Sequence, residues 1–368
     1  MYINLFLVPF IVFYGFLLSK NDNNCSRKKY IKVCSAILIF VAAMRSPEWM
    51  ENLYNIDTVK YREYFEEYRN MDWSEILLVA YLRYFGGDGE KDIGYFLLNK
   101  VLGSFISDFH LFSLTANLIF FIPFGKCLYR YSSNIFQIMF ALVFYIAMIQ
   151  VFLFGGARQI FALGFDIMAL MAMIDKKILR TFVFYILGIT IHFSSILFII
   201  PLMMIWFEIK PHQLKMCHLV CFFLFPLVLL FPNQLISFMA NFLGMEKYAK
   251  YGSGAAQGGT STFIFLIELL SLFCFVAIKK IDLQKSETLR RFYIMLPLFT
   301  FFAPLIHSNG SMIRISLYFH LFLFLLVPFG IECMFKRQNS RIPYTIVIGV
   351  LALYAILTGP VYYFYWQI

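Results

Sequence analysis

Arg45, Arg158 and Arg314 each stand at the end of a long apolar run, and His192 stands in the middle of another. A guanidinium stays charged and grips phosphate through paired N–H donors. Imidazole, with an ordinary pKa of about 6.5, moves protons near neutrality. Ionisable side chains inside or at the rim of a membrane bundle are costly and usually mark a site or pathway. A single arginine there is most simply a headgroup anchor. Three of them, brought to one face together with a histidine, make an anion site.

A second group of residues suits sugars. In DTVKYREYFEEY, Asp57, Tyr61, Tyr64 and Tyr68 share one face of a helix. Aromatic platforms take the apolar faces of a sugar, and a carboxylate takes its hydroxyls; the alternative is an amphipathic helix with its tyrosines in the aromatic belt. Further on, Tyr248 and Tyr251 precede GSGAAQGGTST, a flexible stretch that either closes over a cavity as a lid or is an ordinary loop. The sequence has no phosphate-binding glycine loop, zinc-protease pattern or serine-hydrolase elbow. Cys217 and Cys221 lie four apart without His or carboxylate partners, so no metal or other cofactor is expected.

The elements that must position these residues are membrane helices. Of 368 residues, 61% are hydrophobic and 14% charged, and the mean hydropathy is +0.74. Soluble domains run nearer about 45–50% apolar and about 25% charged. The net charge of +10 reflects basic clusters between apolar runs, the positive-inside pattern, so nucleic acid is not an expected partner. The first apolar stretch lacks a basic leader and a cleavage site and reads as a retained helix. One integral membrane domain over residues 1–368 is expected, all-α, with about ten spans. The spans fall near 2–19, 31–44, 109–126, 134–154, 158–174, 217–232, 262–278, 292–307, 314–333 and 343–360. Both termini then lie outside, and the outer loops are 45–108 and 233–261.

Two segments break the pattern. Residues 93–107 must not span if Lys126 is to lie inside, so they read as an interfacial helix on the outer face. Residues 181–208 have basic flanks on both sides and His192-Phe193-Ser194-Ser195 at the middle. They read as a broken, re-entrant helical pair with His192 near the turn, since non-helical backbone at membrane depth is tolerated only inside protein or along a wet cavity. The alternative is one long tilted helix.

The order of these features resembles the EpsG/Wzy family of polysaccharide polymerases. Arg45 ends the second span and is followed by Asp57-Thr58-Val59-Lys60-Tyr61. An acid-x-Gly-Tyr element appears as Asp92-Ile93-Gly94-Tyr95, leading to Leu97-Leu98-Asn99. Glu is the commoner acid there, and Glu90 is the alternative to Asp92. Arg158-Gln159 opens a span rich in small residues, Ile191-His192-Phe193-Ser194 follows a basic loop, and Arg314 is followed by Tyr318. The resemblance runs from about 40 to 320.

The resemblance implies a periplasmic-face glycosyltransferase of a bacterial inner membrane. It would join undecaprenyl-pyrophosphate-linked oligosaccharide repeat units into O-antigen, capsule or exopolysaccharide, with the bilayer and a chain-length regulator as partners. In such an enzyme Arg158 and Arg314 stabilise the departing pyrophosphate and Arg45 positions it. His192 or Asp57 is the base, His192 being the better suited. Tyr61, Asp92, Tyr95, Gln159, Tyr248, Tyr251 and Tyr318 fall in the substrate-binding set. An O-antigen ligase, a flippase of the same lipid-linked sugar and a membrane acyltransferase are the competing readings.

Overall fold

A computed structural model of the chain describes residues 2–48, 57–85, 92–242 and 261–367. Tyr248, Tyr251 and Glu90 lie outside these. Among the described residues all regular structure is helical, apart from one isolated antiparallel bridge between Arg45 and Phe364. The chain divides into two compact units, residues 1–196 with 344–368, and residues 197–343.

In the first unit, α1 (Asn4–Ser19) and α2 (Asn24–Ala43) lead to two shorter helices, α3 (Thr58–Asn70) and α4 (Trp73–Phe85). Next come α5 (Ile93–Gly103), α6 (Phe109–Tyr131), α7 (Ile135–Met148), α8 (Gln150–Phe154), α9 (Ala157–Ile174) and α10 (Ile178–Ile191). Helix starts follow their caps. Asn23 accepts from Ser26 N–H at 2.9 Å, Asp108 from His110 N–H at 2.8 Å, and Asn134 from Gln137 N–H at 3.0 Å. Helix α7 is apolar on nearly every side and almost wholly buried within the first unit. Helix α9 packs along α6 and α10, and α2 packs along α6.

The second unit contains α11 (Ile199–Trp206), α12 (Pro211–Leu230), α13 (Pro232–Phe242) and α14 (Ser261–Ala277). It continues with α15 (Lys280–Lys285), α16 (Glu287–Tyr293), α17 (Met295–Phe302), α18 (Leu305–Ser308), α19 (Ile313–His320) and α20 (Leu323–Asn339). Helix α21 (Arg341–Leu357) returns to the first unit from Tyr344 onward.

Among the described residues, four helices are long and apolar enough to cross a bilayer alone: Phe109–Tyr131, Ala157–Ile174, Pro211–Leu230 and the run Glu287–Ser308. The stretch Gly310–His320 with Leu323–Phe335 makes a fifth if its 53° bend is allowed within one span; one continuous span was expected there. The other apolar helices have 10–17 residues. At 1.5 Å per residue these fall short of a hydrocarbon core of about 30 Å, so ten single-helix spans are not established. Outward apolar side chains such as Leu179 at 77% and Phe223 at 76% exposure suit hydrocarbon. Helix α4 turns Leu77, Leu78, Tyr81 and Leu82 outward and Ile76 and Ala80 inward. At 11 residues α5 is about half a span long, too short to cross alone.

The segment 181–208 is broken at His192, as expected. Helix α10 ends at Ile191, His192 is extended (φ −145°, ψ 106°), and a tight 3-10 turn, Phe193–Phe198, precedes α11.

Candidate active site

Four elements of the first unit meet around Asp92. This residue sits just before α5 but does not cap it. Its carboxylate turns instead to other segments of the fold. Arg158 Nη1, from the first turn of α9, donates to Asp92 Oδ2 at 2.6 Å. The Phe193 N–H donates to Oδ1 at 2.8 Å, and His192 Nδ1 lies 3.5 Å from Oδ2. Asp92 and His192 are both buried, and the Arg158 side chain is 18% exposed. Burial alone would raise the Asp92 pKa. The hydrogen bond and charge of His192, the Arg158 charge and the Phe193 N–H together outweigh it and bring the pKa down to about 2.

Aromatic rings form the walls. The Arg158 guanidinium lies 5.6 Å from the Tyr61 ring centroid and 5.9 Å from that of Tyr95. The two tyrosines meet edge to face at 5.8 Å. Tyr61 and Tyr68 are buried, Tyr68 against Phe96 at 5.0 Å. The tyrosine stripe of α3 therefore faces inward onto α5, and Tyr61 is a wall of the ionic cluster. Asp57 is half-buried, with Lys60 Nζ at 3.6 Å. Its neighbour Thr58 donates through Oγ1 to the Phe154 carbonyl at 3.3 Å. Gln159 is buried on α9 beside Arg158.

Arg45 leans on the same α8–α9 junction. Its guanidinium lies 4.9 Å from the Phe154 ring centroid, and the residue is 6% exposed. Nε and Nη1 are buried with no hydrogen-bond partner, and no carboxylate among the described residues pairs with it. Burial lowers its pKa to about 10, which leaves it charged at neutral pH. An uncompensated buried charge costs several kcal/mol. The C-terminal tail holds the arginine in place: Ser46 N–H donates to the Tyr363 carbonyl at 2.8 Å, and Tyr365 N–H to the Met44 carbonyl at 3.1 Å. The Tyr362 hydroxyl donates to the Val41 carbonyl.

A second buried acid, which sequence reasoning passed over, anchors the turn that carries His192. Asp166, two helical turns after Arg158 on α9, lies with both carboxyl oxygens 2.8 Å from Ser195 Oγ. A Cβ on Gly188 would stand 2.9 Å from Asp166 Oδ1 and 3.0 Å from Ser195 Oγ, so only glycine lets α10 approach this pair. Tyr185 OH donates to the Ile196 carbonyl at 2.8 Å. The two acids grip His192-Phe193-Ser194-Ser195 from opposite ends.

In the second unit, Arg314 is half-buried in the first turn of α19, and Tyr318 is fully buried. Sequence reading also missed a polar chain in this unit. His218 Nδ1 lies 2.9 Å from Tyr293 OH, His218 Nε2 lies 3.1 Å from Ser271 Oγ, and Ser271 Oγ lies 2.8 Å from Thr300 Oγ1. The visible signal was a polar side chain isolated within each apolar run. Among the described residues no group of three or more His, Cys, Asp or Glu is arranged to hold a metal.

All-helical among its described residues, with several apolar helices and a buried Arg–Asp–His cluster, the chain has the make-up of a membrane protein that holds an ionic site. Residues 50–366 match the family model described as the EpsG family. The chain belongs to the EpsG family. No curated protein and no solved structure matches it.

Proposed function

We propose that the protein is a glycosyltransferase of an inner membrane that polymerises undecaprenyl-pyrophosphate-linked oligosaccharide repeat units at the periplasmic face. The observation that carries this reading is Arg45, a buried guanidinium without a counter-ion among the described residues, leaning on the same helix junction as the Arg158–Asp92–His192 cluster. A pyrophosphate leaving group is the dianionic partner such an arginine lacks, and charge that develops on departure is where fixed donors act most strongly. Arg158 is engaged with Asp92, and its remaining donors join Arg45 on the diphosphate.

Asp92 orients His192 through Nδ1 and stabilises the imidazolium that forms, leaving Nε2 to take the proton. In the transfer, the acceptor hydroxyl loses its proton to His192 and its oxygen bonds to the anomeric carbon of the donor. The bond from that carbon to the pyrophosphate breaks, and undecaprenyl pyrophosphate departs with the electron pair. The positive-inside pattern of the basic clusters supports an outward orientation for Arg45, Arg158 and His192. Broken backbone at His192 fits a re-entrant segment lining a wet cavity.

The test is the surface glycan of a strain lacking the gene, resolved on a silver-stained gel. A core carrying one repeat unit, with the ladder restored by the wild-type gene and not by Arg45→Ala or His192→Ala, is the expected result. Accumulated lipid-linked units with no repeat unit on the core point instead to the flippase or ligase.

A further inference from the structure

The opposite, lysine-bearing end of α2 and α6 carries a groove that the transfer reaction does not use. It encloses about 450 Å³, and its mouth is formed by Lys28 and Lys32 of α2 with Lys126 and Tyr129 of α6. All three lysines are exposed. Lys28 Nζ stands 5.0 Å from the Tyr129 ring centroid, and no carboxylate among the described residues lies within ion-pair distance of any of the three. The nearby arginines differ: Arg27 pairs with Asp22 at 3.5 Å and Arg130 with Asp175.

Below the lysines the groove turns apolar, with Ile31, Ile39, Phe121 and Ile122 as walls. One polar group interrupts them. Ser35 is 8% exposed, lines the groove, and its Oγ is buried with no hydrogen-bond partner. Gly125 faces it; a Cβ there would come within 3.0 Å of Ile31 Cγ2, so a side chain would crowd the groove. At 1.5 Å per residue, Ser35 lies about 4.5 Å and Ile39 about 10.5 Å deeper than Lys32 along the α2 axis.

We infer that this groove binds an anionic phospholipid, with the headgroup phosphate among Lys28, Lys32 and Lys126, an ester oxygen on Ser35 Oγ and an acyl chain along Ile39, Phe121 and Ile122. The order of chemistry with depth (cation, one hydrogen-bond donor, hydrocarbon) is the order of groups in a phospholipid. A free phosphate would satisfy the lysines and leave Ser35 and the apolar walls without a role. Basic pockets between helices select anionic headgroups in this way. The inference does not depend on the glycosyl transfer; with the orientation proposed above, the lipid comes from the cytoplasmic leaflet.

The experiment uses the full chain purified in a neutral detergent, read by thermal unfolding and by native mass spectrometry. Dioleoyl phosphatidylglycerol, dioleoyl phosphatidylcholine and inorganic phosphate are added separately. Phosphatidylglycerol is expected to raise the unfolding midpoint and stay bound, and the other two are not. Lys28→Gln, Lys32→Gln and Lys126→Gln should each weaken that binding about fivefold, while Lys29→Gln, with the same change in charge, should not. Ile122→Trp fills the apolar part of the groove from an exposed position and should weaken binding with all lysines present. Equal responses to phosphatidylcholine, a response to inorganic phosphate alone, or wild-type binding by the triple lysine variant each overturn the assignment.

Discussion

Arg158 and Asp92 are joined by a hydrogen-bonded ion pair of 2.6 Å although 66 residues separate them. The pair links the start of α9 to the start of α5, and His192 and the Phe193 N–H complete the shell around the carboxylate. An acid surrounded by three donors serves as a fixed anion: it holds one arginine and one histidine in defined orientations. Asp92 is thus the centre about which the candidate catalytic groups are arranged.

Removing one member of a buried pair strands the other. Asp92→Asn and Arg158→Gln should each destabilise the protein by about 3–5 kcal/mol, with both ion-pair side chains under a fifth exposed. The double variant should cost less than the sum, with a coupling of about 1–3 kcal/mol. Unfolding of the four proteins in one detergent measures the cycle. Simple additivity would mean that the contact does not persist in the folded protein.

The pH dependence follows from the depressed Asp92 pKa. The folded value of about 2 lies below the ordinary 3.8, so the ionised carboxylate stabilises the fold above pH 4, and that stabilisation is lost as pH falls through 2. The gap corresponds to roughly 2 kcal/mol at 1.36 kcal/mol per unit. As pH falls from 4 toward 2, the stability difference between wild type and Asp92→Asn should shrink. A difference that grows on acidification would reverse the assigned sign.

Arg45 should separate stability from activity. Arg45→Met removes an uncompensated buried charge and keeps an unbranched side chain over Phe154, so the unfolding midpoint should hold or rise. Glycan polymerisation should nevertheless disappear, and Arg45→Lys should recover it poorly because a point charge lacks the guanidinium fork. Midpoints come from purified protein and polymer from the complemented deletion strain. A variant that is both destabilised and inactive would make Arg45 a structural anchor.

Helix positions were largely legible, because each rests on an apolar run of fixed period that local sequence carries. Arg45, Arg158 and His192 stood out as charges at the edges or centres of such runs, and the break at His192 followed from basic residues on both flanks. The partnership of Asp92 with Arg158 and His192 was not legible, since contacts across 66 and 100 residues leave no local periodicity. The α3 stripe shows the converse. Its spacing correctly grouped Tyr61 and Tyr68 on one face, but a helical period does not say what the face meets, and it meets Tyr95 and Phe96. Asp166 left a signal that was passed over: a lone acid in LGFDIMALM has to find a partner.

That partner, Ser195, gives the clearest test of whether the turn after α10 is positioned or merely packed. Ser195→Ala leaves the Asp166 carboxyl buried without its hydroxyl and should cost about 1–3 kcal/mol. Replacing both, as Asp166→Leu with Ser195→Ala, substitutes apolar groups for a satisfied pair and should restore much of that stability. The glycan ladder then separates two roles that stability cannot. If the Asp166–Ser195 contact aims His192 at the acceptor, the stable double variant makes little or no polymer, because a base about 1 Å out of place loses on the order of a hundredfold in rate. Full-length polymer from the double variant would instead mean that Asp92 and the Phe193 N–H hold the turn without help, and that Asp166 only fills space beneath it.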